Sequence, residues 1–394
     1  MRTEHSPQSA QRAQRIIVSA SFAIAAVIVA SVFWPRAVLS HGTVTTTVLF
    51  DREIVRILDK HCVMCHVEGG PSFPLETYEQ NWVQGRQIRA RVLTRHMPPW
   101  GAVPGYGQFI NDNSLTLRET QFIISWVEGL GPRNAGTVFT NVADSGARPA
   151  AVRAVAHTGH WQLGDPELTR ELPGNTIGPR QANEIKRTVI DLGLTSERRV
   201  SAVEYLPGDR RVVRAAFFTV QETGQWIGSW TPWYGMAKLP AGAAYRLPAG
   251  SHLVAEIHYR GANEAVEDRG TIGLFFADQP APRSVTDLVL EAEGRGTAGA
   301  AQRLRAETKL AADTYALALR PEIAGGVTSI EVSARKPDGG TDILLFAKDL
   351  PTDWPTPYIF TEPVLLRRGT TLSVTAYSAG TPLPGKLRLT VSRY

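Results

Sequence analysis

Residues 60–70 read KHCVMCHVEGG and hold both cysteines of the 394-residue chain, Cys62 and Cys65, with His66 directly after the second. A C-x-x-C pair serves a redox disulfide, half of a zinc site, or covalent attachment of haem c, and the next residue separates the three. A histidine there gives C-x-x-C-H, in which each thiol adds across a haem vinyl group and the imidazole ligates iron from the proximal side. Zinc needs further ligands at short spacing, and the chain has no third cysteine. A thioredoxin-like motif belongs in a βαβ unit, and none is readable here. The motif therefore predicts one covalent haem c, with thioethers at Cys62 and Cys65 and iron on His66.

Outward from the motif, residues 51–131 read helical. DREIVRILDKHC offers Asp51 as an N-cap, followed by Ile54, Ile57 and Leu58 on one face. TLRETQFIISWVEGLGP places Thr116 and Glu119 at capping-box spacing, sets Phe122, Trp126, Val127 and Leu130 on one stripe, and stops at Gly131 and Pro132. A helix before the haem motif and another at the C-terminal end make residues 45–135 an expected all-α cytochrome c domain.

Its iron needs a second axial ligand, and the chain has four methionines. Met1 is terminal, Met236 lies in a β-patterned region, and Met64 sits inside the attachment loop, which turns its side chain away from iron. Met97, in RHMPPWGAVPGYG, remains. Two prolines after it stiffen a loop that presents a thioether, and the rival ligand is the adjacent His96.

Haem c is attached outside the bacterial cytoplasm, so an export signal is expected. Residues 16–34, IIVSASFAIAAVIVASVFW, are uncharged and as a helix would span about 28 Å. Arg2, Arg12 and Arg15 precede them and keep residues 1–15 cytoplasmic. The expectation is a single-pass bacterial inner-membrane protein with its bulk in the periplasm, although VLS at 38–40 also reads as a signal-peptidase site. The pI of about 9.3 comes with no basic patch: residues 1–40 carry four arginines against one glutamate, and 41–137 carry nine basic and nine acidic residues. That distribution argues against nucleic acid as a partner.

After residue 135 the helical period is lost. Residues 136–155 read as a linker rich in Gly, Ala and Pro, and short alternating runs follow. KLRLTVSR (386–393), TLSVTAYS (371–378) and SIEVSARKPDGGTDILLFA (329–347) read as strands, the last with an Asp-Gly-Gly turn. Two jelly-roll-like sandwiches, 156–283 and 284–394, are expected. The run GQWIGSWTPWYGMAKLP (224–240) gathers Trp226, Trp230, Trp233 and Tyr234, as a sandwich cover or a subunit-docking patch. His157 and His160 stand close in AHTGH, near the linker.

Taken together, CHVEGGPSFPLETYE, HMPPW and SWVEGLGP resemble the haem c domain that precedes a copper type II, ascorbate-dependent monooxygenase-like pair of sandwiches in bacterial exported proteins. The resemblance continues through HWQLGDPEL, YLPGDRRVV, YRLPAGSHLVAEIHYR, DRGTIGLFFA and IFTEPVLLRRGTTLSVTA, which look like the two halves of the peptidylglycine monooxygenase family. That family implies two copper sites. At the first, the positions of a His-His pair hold Arg214 and Ala215, and the third ligand persists as His258. At the second, a His-x-His pair is replaced by Glu322 and Ala324, and no late methionine occurs. One imidazole cannot hold copper, and Arg214 would repel a cation.

The multidomain expectation is thus a transmembrane helix, an all-α cytochrome c domain and an all-β pair with degenerate copper sites. Its function would be single-electron transfer between redox protein partners, or within a respiratory or photosynthetic membrane complex, with no independent catalysis and no copper. The alternative is a copper-dependent monooxygenase fed by its own haem.

Overall fold

The computed structural model describes residues 46–134, 160–277, 282–295, 302–323, 326–350, 354–378 and 384–394. Residues from 46 onward belong to one compact unit. Three α-helices occur in its N-terminal part: α1 (Val55–His61, entered through one π-helical turn, Phe50–Ile54), α2 (Tyr78–Leu93) and α3 (Leu117–Glu128). Phe50, Ile54, Leu58, Ile88, Ile123 and Trp126 form the small core between them. Both α2 and α3 open on complete capping boxes, Thr77 with Gln80 and Thr116 with Glu119. Asp51 does not cap; the Leu49 N–H at the first turn donates to Glu53 instead.

The first sandwich pairs two sheets, antiparallel except where Arg283–Ser284 runs parallel to Ala243–Leu247. One runs in the order Leu168–Glu171, Thr271–Phe276, Arg198–Leu206, Ala243–Leu247, with short edge strands Met236–Lys238 and Arg283–Ser284. The other runs Glu184–Asp191, His252–Tyr259, Val213–Val220, Trp226–Trp230. His252–Tyr259 shows how the sequence sets the layers: Leu253, Ala255, Ile257 and Tyr259 are buried in the core, while the alternate residues, His258 among them, are half-buried on the opposite face. In Val213–Val220 the register shifts between Val213 and Ala215, so Arg214 occupies a bulge and is aimed out of the ladder.

The second sandwich stacks Thr286–Arg295, Pro384–Arg393, Thr314–Ile323 and Tyr358–Leu366 on Gln302–Lys309, Thr371–Ser378, Val327–Arg335 and Thr341–Lys348. Lys336–Gly340 closes the hairpin between Val327–Arg335 and Thr341–Lys348, with Gly339 in the left-handed region and Gly340 N–H on the Asp338 carboxylate.

The loop between α2 and α3 does not stay with the helices. Trp100, Ala102 and Phe109 are buried in the core of the second sandwich. The loop also pairs with that sandwich's backbone: Val103 N–H donates to Phe346 O at 2.7 Å, and Ile110 N–H to Ile359 O at 2.8 Å. Asn111 seals the join, donating from Nδ2 to Pro357 O at 2.7 Å and accepting from Ile359 N–H at 3.1 Å. At Gly107 (φ +79°) a Cβ would stand 2.4 Å from Leu344 O, so only glycine permits the approach.

These contacts correct the expected architecture. Strand accounts for 45% of the structure and helix for 13%, and the three short helices belong to the same unit as the sheets. Among the described residues there is no free-standing all-α cytochrome c domain, and the expected resemblance to that fusion family is corrected with it. The β-sandwich expectation holds only in part, because the helical loop contributes to a sandwich core. Residues 16–34, 136–155, His157 and Ala324 lie outside the described residues. Among the described residues no helix is long and apolar enough to cross a membrane. The longest, α2, has sixteen residues and carries three arginines and a glutamate. That corrects the expected single-pass inner-membrane protein.

Candidate functional site

The attachment motif follows directly from the end of α1. Cys62 N–H and Val63 N–H both donate to Leu58 O, and Cys65 N–H and His66 N–H both donate to Cys62 O, at 3.1 and 3.0 Å. This tight turn brings Cys62, Cys65 and His66 to the wall of one cavity of about 580 Å³, within the size range of cofactor sites. His61 lines the same cavity but both its ring nitrogens are engaged, Nδ1 with the Asn113 side-chain oxygen at 3.0 Å and Nε2 with Glu119 at 3.3 Å. His66 differs: its Nδ1 donates to Phe73 O at 2.9 Å. A carbonyl can only accept, so the neutral ring carries its lone pair on Nε2, the usual arrangement of a metal-ligating histidine.

Burial keeps these groups uncharged. It pushes the Cys62 thiol up to about 12, with Cys65 adding to the effect. Cys65 is raised by burial to about 11 against the pull of Arg214 and Arg210. Burial lowers His66, the Phe73 carbonyl opposes that, and Arg214 reinforces it. Neutral thiols beside a neutral imidazole are poor material for a bare metal ion. Among the described residues no group of three or more His, Cys, Asp and Glu side chains could hold one. The metal expected here was the haem iron on His66 and Met97, and no site for an ion held by side chains alone is found among the described residues.

Met97 and His96 both line the cavity. Arg95 takes a left-handed conformation after α2, and the N–H groups of His96 and Met97 both turn back to Arg91 O. His96 lies exposed with its Nδ1 on Thr94 Oγ1 at 3.0 Å, and Met97 is 38% exposed.

What the sequence missed is the rest of the wall. Arg210, Arg211 and Arg214 of the first sandwich line the cavity, as do Leu350 and Trp354 of the second. With Arg91, Arg95 and Arg260 that makes six arginines, against Asp349 as the one carboxylate among the described lining residues. The run DRRVVR at 209–214 was the available signal. It read only as framework because strand alternation gives no hint that its bulge faces a helix end.

A second cavity of about 610 Å³ brings together Arg214, His258 and Glu322. His258 sits opposite Ala215 in the ladder, and its Nε2 donates to Glu256 Oε1 at 2.9 Å. That contact, followed by Arg187 and Arg320, draws the Glu256 carboxyl down to about 2 in spite of burial. Arg214 and Trp354 stack with 3.9 Å between guanidinium carbon and ring centroid, and together with Leu350 they line both cavities. Trp226 and Trp230 are buried in the first sandwich, and Trp233 donates to Asn111 O at 3.1 Å. These indoles are therefore internal joints rather than an exposed docking patch.

No protein-family model and no curated protein matches the chain. Among solved structures it is similar to the major capsid protein P2 of bacteriophage PM2 at 9% identity and a TM-score of 0.27, over 56% of this chain and 96% of that one. It is also similar to the PBSX exported protein XepA at 10% identity and a TM-score of 0.18, over 58% and 86%. Likenesses at this level carry no argument about what the site does.

Proposed function

We propose that this chain holds one haem c, attached through Cys62 and Cys65 and ligated at iron by His66, and that it carries single electrons. The observation that carries this reading is the convergence of both thiols and the His66 ring on one cavity of cofactor size. The cavity's chemistry fits the group. His66 has Nδ1 occupied by Phe73 O and its lone pair on Nε2. Six arginines against one aspartate suit a cofactor bearing two carboxylates, and apolar lining from Ile88, Val92 and Trp100 suits a porphyrin plane.

The haem would supply a one-electron couple between ferric and ferrous iron. Cys62 and Cys65 would prevent its loss, and His66 would hold the iron with a ring orientation fixed by Phe73. Met97, which lines the same cavity, would hold the iron together with His66. As a thioether it favours the ferrous form and raises the potential. The two sandwiches would act as scaffold, walling the cavity with Arg210, Arg214 and Trp354. Electrons would pass to and from redox protein partners, and no independent catalytic group is assigned.

The test is expression of the full chain alongside a haem c maturation system. Denaturing gels stained for haem peroxidase activity should show a band at about the mass of the chain, and Cys62→Ser with Cys65→Ser should remove it. Complete extraction of haem from the wild-type protein by acid acetone would overturn the reading.

A further inference from the structure

We propose that Arg210, contributed by the first sandwich, receives a carboxylate of the cofactor, so that the redox potential is set across the join between helices and sheet. This rests on the haem reading above and goes beyond it by assigning the counter-charge to a residue about 145 positions from the cysteines.

Arg210 lies in the turn between the strands Arg198–Leu206 and Val213–Val220. One arm of its guanidinium is fixed, Nη2 donating to Pro232 O at 2.9 Å. Its Nε–H is buried and has no hydrogen-bond partner among the described residues, although the side chain lines the cavity that holds Cys65 and His66. A buried donor left unmet is costly, so such an atom at a cavity wall points to a missing acceptor. The neighbouring Arg211 is already satisfied, bonding the Asp209 carboxylate and reaching Glu264 at 2.8 Å. Arg214 is stacked on Trp354. Arg210 is thus a half-buried guanidinium on the cavity wall with one buried donor, Nε, unmet among the described residues.

The acceptor must be anionic or at least a strong acceptor; among the described lining residues Asp349 is the single carboxylate, and it makes no hydrogen bond to Arg210 Nε. A porphyrin propionate is an acceptor of the required charge. Paired with Arg210, its negative charge is offset and it stays ionised across the neutral range. Its electrostatic preference for ferric iron is then reduced, which holds the potential up.

The experiment uses the full-length haem-loaded protein and measures midpoint potential by spectroelectrochemical titration from pH 5 to 8. Arg210→Gln should lower the potential by about 59 mV, a tenfold shift in the ferric-to-ferrous ratio for one electron. It should also introduce a pH dependence in that window, as the unpaired carboxylate begins to titrate. Arg210→Lys, which keeps the charge, should recover most of the potential, and Arg246→Gln, on an exposed pair with Glu197, should change nothing. A fully haem-loaded Arg210→Gln protein with wild-type potential at every pH would overturn the proposal, as would a Lys variant that falls as far as the Gln variant. Wild-type protein without covalent haem would overturn the underlying reading, and this inference with it.

Discussion

Phe109 and Phe360 face each other across an isolated antiparallel bridge, their rings stacked with centroids 5.3 Å apart. The first belongs to the loop after α2 and the second to a strand some 250 residues later. Their contact makes the haem-motif segment part of the second sandwich's core. Phe109→Ala should therefore cost about 3–5 kcal/mol, as a large-to-small change in a packed core does. Urea unfolding followed by far-ultraviolet circular dichroism checks this. A loss below about 1 kcal/mol would mean that the loop merely rests on the sheet.

Met97 should give oxidised, haem-loaded protein the weak near-infrared band that arises from sulfur-to-ferric-iron charge transfer. Met97→Ala should lose the band and lower the potential. A spectrum unaltered by the substitution would transfer the axial role to His96, which lines the same cavity.

Glu119 links the start of α3 to the end of α1. Burial would raise its carboxyl, but bonds from Thr116 N–H and Oγ1, together with His61 and Lys60, bring it down to about 2. A depressed carboxyl stabilises the fold fully above its ordinary value of 4.5, and the contribution is lost as pH falls through the folded value near 2. Wild type should accordingly lose about 1–2 kcal/mol from this group between pH 5 and pH 2, after allowance for solvent screening. Glu119→Gln should be less stable at pH 6 and indistinguishable at pH 2. Parallel stability curves for the two proteins across that range would remove the assignment.

His258 should hold no copper. Its Nε2 is committed to Glu256, its ladder partner is Ala215, and the nearby Arg214 repels cations. Full-length protein incubated with copper and ascorbate should retain well under one copper per chain after desalting, and His258→Ala should leave that figure unchanged. The same substitution should cost about 1–3 kcal/mol by stripping Glu256 of a bond. One copper retained by wild type and lost in His258→Ala would reverse the argument.

The elements legible in the sequence are those whose signal is local. Thr116 with Glu119 marks the start of α3, and TLSVTAYS coincides with the strand Thr371–Ser378. Thr77 with Gln80 carried an equally clear signature for α2, but GRQIRARVL has no strong apolar stripe, and the helix was read only as part of the helical stretch 51–131, without bounds of its own. Leu130 continued the α3 stripe by spacing, yet it lies beyond the last turn and is more than half exposed. At the site, that Cys62, Cys65 and His66 would lie together was legible because the three fall within five consecutive residues. Arg210, Arg214 and Trp354 were not, since they reach the cavity from separate sheets through a turn, a bulge and a loop. Periodicity identifies a strand's inward face and is silent about what its other face or its ends will meet.

The burial of Trp100 and Phe109 against strands near the C-terminus also imposes an order on synthesis. A ribosome delivers the motif and its following loop first, and at roughly 5–20 residues per second the strands Thr341–Lys348 and Tyr358–Leu366 arrive about 10–50 s later. Throughout that interval the loop has no sheet to enter, and the arginine-lined wall is not yet assembled over Cys62 and Cys65. The two thiols, half-buried in the finished protein, are therefore more accessible in a chain whose last sheet has not yet formed than in the completed fold.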